Sequence, residues 1–88
     1  MSEAKPCGAL MAVMVSDRCR EAAAVQQALT RHGCVIRLRL GLHETTGDYC
    51  ANEGLIVLHL CGRPEDYAAL AADLTAVEGV RVKTLSLD

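Results

Sequence analysis

His59 and Cys61 stand two residues apart in the segment Leu55–Cys61 (LIVLHLC), a spacing that puts both side chains on one face of a strand. Imidazole and thiolate are good ligands for zinc, nickel or iron. One such pair completes no coordination sphere, so a metal site here needs a second pair supplied by symmetry from another copy of the chain. A hydrogen-bonded histidine beside a buried thiol accounts for the same residues without a metal. A second group of donors, His43, Glu44, Asp48 and Cys50, falls within Gly41–Gly54 (GLHETTGDYCANEG), whose turn-forming residues equally suit a plain loop. That stretch is longer than a tight hairpin needs, and long loops are disproportionately functional. Cys61 with His59 as nucleophile and base lacks anything to orient the base or to stabilise an oxyanion. The chain has no glycine-rich phosphate loop, no strand-elbow serine and no paired carboxylates on one element. No cofactor is specified, and the expectation is a protein that binds and does not catalyse.

These residues must be positioned by a small set of elements. Ala9–Val15 (ALMAVMV) and Leu55–Cys61 read as strands, and His59 is their only polar side chain. Ser16-Asp17 supplies an N-cap for a helix over 18–32, with Glu21 favourably placed in the first turn. Ala22, Val25, Leu29 and His32 repeat at helical spacing, and Gly33 is the expected left-handed residue after the helix. Cys34–Leu42 alternates, with Ile36, Leu38 and Leu40 on one face and Arg37 and Arg39 on the other. That pattern fits an edge strand. Gly62-Arg63-Pro64-Glu65-Asp66 starts a second helix, with proline at the first position and two acids at the positive dipole end. Its apolar stripe is Tyr67, Leu70, Ala71, Leu74 and Val77, and Gly79 ends it. Val80–Leu87 is the last strand, carrying Arg81 and Lys83 and so expected at the other edge.

The order strand–helix–strand–strand–helix–strand is the split βαβ, or ferredoxin-like, α+β arrangement. Right-handed crossovers put both helices on one face of a four-stranded antiparallel sheet with strand order 4-1-3-2. Strands one and three are then central, and they are the two that are apolar on both sides. Met11, Val13 and Val15 alternate with Leu10, Ala12 and Met14, and Leu55, Val57, His59 and Cys61 alternate with Ile56, Leu58 and Leu60; one set packs on the helices and the other lies on the face they leave open. An apolar face of that width exceeds what monomers usually expose. It predicts a homo-oligomer, a dimer or tetramer, built through the open face.

Composition bounds the partners. The 88 residues make one domain, 1–88, and 51% are hydrophobic, yet there is no Trp or Phe and only two Tyr. Leu, Val, Ile, Ala and Met must fill the core. The formal net charge is −2, with no clustered basic surface for a phosphate backbone, so direct nucleic-acid binding is not expected. No apolar run approaches the ~20 residues of a membrane span, and no secretion signal precedes the first strand. Cytoplasm is the default expectation. The five cysteines, Cys7, Cys19, Cys34, Cys50 and Cys61, are an odd number without a CxxC pair and read as reduced thiols packed as small hydrophobes.

Two stretches, MAVMVSDRCREAAAVQQALTRHG and GLIVLHLCGRPEDYAALAADLTAVEGVRVKTLSL, resemble the small family of iron-only hydrogenase system regulators, whose ferredoxin-like fold is related to ACT domains. The resemblance spans nearly the whole chain and implies a regulatory role, with a partner protein as receiver of the signal. The second stretch is also similar to the sensory domain of nickel-responsive repressors, which places His and Cys ligands at a subunit interface. Their His-x-His has no counterpart before the third strand, and their DNA-binding segment has none before the first. In ACT domains an Asp-Arg-Pro-Gly turn between the first strand and helix helps to hold an amino acid. Here Asp17-Arg18 is followed by Cys19-Arg20. That likeness implies effector-binding roles for Ser16, Asp17, Arg18 and Cys19 in an ACT-like domain that binds a small effector between subunits. The repressor likeness implies the alternative, a metal-sensing protein using His59, Cys61, His43 and Cys50.

Overall fold

A computed structural model describes residues 7–42, 45, 46, 49, 50 and 54–87, excluding the side chains of 18, 19, 42, 45, 46, 49 and 50. Strand β1 (Ala9–Val15) leads into helix α1 (Arg18–Arg31), a single 3-10 turn (Gly33–Val35) and strand β2 (Ile36–Leu42). Two short strands, β3 (Thr45–Thr46) and β4 (Tyr49–Cys50), precede strand β5 (Gly54–Leu60), helix α2 (Pro64–Thr75) and strand β6 (Val80–Ser86). The main sheet has the order β2-β5-β1-β6, every neighbour antiparallel, with β5 and β1 at its centre. This is the ferredoxin-like α+β topology read from the chain order. Where a plain loop was expected, β3 and β4 pair with each other as a separate two-stranded ladder.

Alternation along the central strands divides the sheet into two faces. Ala9, Met11, Val13 and Val15 of β1 are buried, as are Leu58 and Leu60 of β5. They form one core with Val25, Ala28 and Leu29 of α1, Leu70 and Leu74 of α2, and Val80. Tyr67, Ala71 and Val77 complete the α2 stripe from the margin of that core. The buried face of α1 is rotated from the one expected: Ala22 is exposed, and Ala28 is fully buried. No polar or charged residue is buried among those described.

The helix ends follow from local chemistry. Asp17 caps α1, its Oδ1 accepting from Arg20 N at 3.2 Å. Pro64 opens α2, and Asp66 Oδ2 accepts from Arg63 N at 3.0 Å. Gly79 adopts φ +84, and a Cβ there would collide with Ser16 Oγ. Ser16 N donates to Gly79 O at 2.9 Å, so the turn after β1 and the turn before β6 close on each other. Gly33, expected in the left-handed region, is not there: positive φ is confined to Gly62 and Gly79 among the described residues. Instead α1 runs into the 3-10 turn Gly33–Val35, which delays the start of β2 to Ile36.

Strand β2 departs from simple alternation. Ile36 pairs with Leu60, but the next residue of β5, His59, pairs with Leu38. Arg37 is therefore an extra residue, a β-bulge, and it changes the face assignment. Ile36 packs on the core, whereas Leu38 and Leu40 lie on the other face, 62% and 53% exposed. The three apolar residues expected on one face are divided between two.

Candidate functional site

The sheet register arranges the open face in rows that run across the strands. One row is Leu38, His59, Leu10 and Leu85. The next is Leu40, Val57, Ala12 and Lys83, and Leu55, Met14 and Arg81 form a third. Leu85 is 61% exposed. Apolar side chains thus cover β2, β5 and β1, and the two cations sit together on the edge strand β6. Arg39, on the opposite side of β2, donates to Gln26 Oε1 of α1, leaving the leucines of β2 facing outward. The bulge at Arg37 is the device that adds Leu38 and Leu40 to this surface, and no periodicity in the sequence announced it.

His59 lies at the end of the face nearest the start of β1. Its Nε2 is 3.4 Å from Cys7 O, and because a carbonyl only accepts, Nε2 is the donor of that contact. The neighbouring sulfur is not a thiolate. Cys61 forms a disulfide with Cys7, 54 residues away in sequence. This corrects two expectations, that the cysteines are all reduced and that Cys61 offers a thiolate beside His59. The cause is the central strand pairing. Ala9 stands opposite Leu60, so the residues just before β1 meet those just after β5. The chain order makes these two strand ends neighbours in this topology, but only the register brings Cys7 onto Cys61.

Of the other metal-ligand candidates, His43 lies outside the described residues, and Cys50 falls in β4, where only its backbone is described. Among the described residues no three His, Cys, Asp or Glu side chains are grouped to hold a metal ion. The four effector candidates lie together at the junction of β1 and α1. Ser16 is engaged with Gly79 and Asp17 caps the helix, while Arg18 and Cys19 contribute backbone to the first turn of α1. Of the two described side chains, that of Asp17 has a structural role as the helix cap, whereas Ser16 is engaged through its backbone.

A polar cluster that sequence reasoning missed joins the helices on the far side of the sheet. His32 Nε2 is 2.6 Å from Asp73 Oδ2, with Arg31 Nε 3.6 Å from the same oxygen. The hydrogen bond from His32, reinforced by the Arg31 charge, holds the Asp73 carboxyl below its usual range. The i, i+3, i+4 spacing had placed His32 in the apolar stripe of α1. Its partner lies on α2, which no local pattern reveals.

No protein-family model matches this chain, and no curated protein matches it. Among solved structures it is similar to the uncharacterized protein TM1266 from Thermotoga maritima, with 28% identity and a TM-score of 0.79 over 98% of this chain and 100% of that one. The C-terminal domain of the MgtC protein from Mycobacterium tuberculosis superposes with a TM-score of 0.64 at 16% identity, covering 97% and 93% of the two chains. CPII from Thiomonas intermedia K12, a nitrogen regulatory PII-like protein bound to ADP, AMP and bicarbonate, gives 0.57 at 13% identity, covering 92% and 90%. The chain is therefore a small ferredoxin-like domain of the architecture that a PII-like regulator also uses. No helix among the described residues is long and apolar enough to cross a membrane.

Proposed function

We propose that this chain is an oligomeric, ACT-like regulatory domain whose copies associate through the open sheet face and bind a small effector where they meet. The observation that carries this reading is the composition of that face. Leu10, Ala12, Met14, Leu38, Leu40, Leu55, Val57 and Leu85 lie on it beside His59, with Arg81 and Lys83 at one edge. With strands ~4.8 Å apart and a rise of ~3.4 Å per residue, the face spans roughly 450 Å² in projection. The largest apolar patch on a typical monomer covers roughly 300–600 Å², and patches of that size are often interaction sites. A second copy is the occupant that matches an apolar face lacking acidic groups, since an apolar surface complements itself. The two cations also favour one stacking. A face-to-face pair with β6 over the partner's β2 separates them, whereas β6 over β6 brings four like charges together.

In this reading the domain acts by binding, without a reaction of its own. Its fold likeness to CPII supports an effector role only by analogy, and suggests which small molecules to try first. Light scattering at micromolar concentration should give a dimer or larger species. Val57→Glu, which buries a charge at the middle of the proposed contact, should yield a monomer with an unchanged circular dichroism spectrum. A well-folded wild-type monomer would overturn the assembly. For the effector, thermal unfolding is measured with ADP, AMP, bicarbonate and free amino acids. A ligand at ~100 times its Kd adds about 2.7 kcal/mol and raises Tm by several degrees.

A further inference from the structure

One end of the open face is tied down by a segment of two residues. Cys7 and Gly8 precede β1, and three contacts converge on them. Cys7 Sγ is bonded to Cys61 Sγ, Cys7 O is 3.4 Å from His59 Nε2, and Gly8 O accepts from Leu87 N at 2.7 Å. Cys61 N in turn donates to Val35 O at 2.8 Å, which links the same point to the turn before β2. The ends of β5, β1 and β6 and the approach to β2 therefore meet at this disulfide. The open-face row beside it is Leu38, His59, Leu10 and Leu85, one residue from each strand.

Building on the association through the open face proposed above, we propose that the Cys7–Cys61 disulfide is a redox control on it: the oxidised form assembles and the reduced form assembles weakly. A dithiol supplies the electrons. One of its thiolates attacks a sulfur of the pair, the Cys7–Cys61 bond breaks and a mixed disulfide forms. The second thiol then displaces the protein sulfur. Cys7 and Cys61 leave as two thiols, and the dithiol leaves as a disulfide. With the covalent tie gone, residues 7 and 8 are held to the sheet end by hydrogen bonds at its margin. Their release takes the carbonyl acceptor from His59 in an apolar row and the main-chain partner from Leu87 beside Leu85. A donor left without its acceptor must be hydrated, and water at His59 opposes closing the row against a second copy.

The experiment compares oxidised protein with protein reduced by dithiothreitol, by sedimentation equilibrium, using a Cys19→Ser, Cys34→Ser, Cys50→Ser background so that sulfur chemistry is confined to the one pair. Circular dichroism of each form monitors the fold. The dissociation constant should rise at least roughly tenfold on reduction, about 1.4 kcal/mol, and return on reoxidation. Cys7→Ser added to the same background should associate as weakly as the reduced form and be indifferent to dithiothreitol. Equal association of folded oxidised and reduced protein overturns the redox control and leaves the assembly intact. Monomers in both forms overturn the assembly and the control with it. Reduced protein that loses its circular dichroism signal makes the disulfide a structural staple and likewise overturns the control.

Discussion

At the scale of single residues, the polar side chains divide by the jobs the fold gives them. Asp17 and Asp66 satisfy backbone N–H groups at helix starts, and Tyr67 donates its hydroxyl to Gly62 O at 3.0 Å. The surroundings of Asp73 lower the proton affinity of its carboxylate, mainly through its hydrogen bond from His32. A folded-state pKa below the unfolded value means that the contact stabilises the native state above that unfolded value, near 3.8. The contribution fades as pH falls from there through the lowered folded pKa. Urea unfolding midpoints measured from pH 5 down to pH 2 should therefore fall less steeply for Asp73→Asn than for the wild type. Parallel curves would show that the His32 contact does not couple to stability.

At the scale of elements, β2 shows how one residue sets the identity of a surface. Its sequence alternates without a break, yet Ile36 faces the core while Leu38 and Leu40 face away, because Arg37 is inserted as a bulge. Deleting Arg37 leaves Ile36 and Leu38 as neighbours on opposite faces, which is the present assignment without the bulge. The deletion variant should fold with a urea midpoint close to that of the wild type and keep its oligomeric state. Deleting Arg39 instead shifts everything beyond it by one position and turns Leu40 toward α1, because the side-chain period of a strand is two. That variant should lose about 1–3 kcal/mol or fail to fold. Equal behaviour of the two deletions would argue against the bulge.

At the scale of the whole molecule, the Cys7–Cys61 bond closes a loop across 54 positions of an 88-residue chain. A cross-link of that span removes about 4 kcal/mol worth of unfolded-state freedom in the chain-entropy account. Small domains are stable by only about 5–15 kcal/mol, so the bond is a large share of the total. Urea unfolding with and without dithiothreitol should differ by roughly that amount, and a difference under ~1 kcal/mol would show that the pair contributes little. The same bond is why the thiol–imidazole pair expected at Cys61 and His59 is absent. What remains at the site is an apolar face with a histidine at one end and two cations along one edge.

The sequence by itself determined the order of the two helices and the four strands of the main sheet, the central pair of strands and the two-sided apolar character that follows from it. Those are local properties: period-two and helical spacing, Asp17 as a cap, Pro64 at a helix start and Gly79 at a turn are each visible within a few residues. The sheet order and strand pairing then follow from connection rules. Tertiary structure alone decided the bulge at Arg37, the pairing of Cys7 with Cys61 and the bridge from His32 to Asp73. Each joins residues far apart in sequence or depends on register between strands, and register is fixed by how the whole core packs. The regulatory reading rests on both levels, since an open apolar face is legible from alternation, and only the register shows which side chains form it.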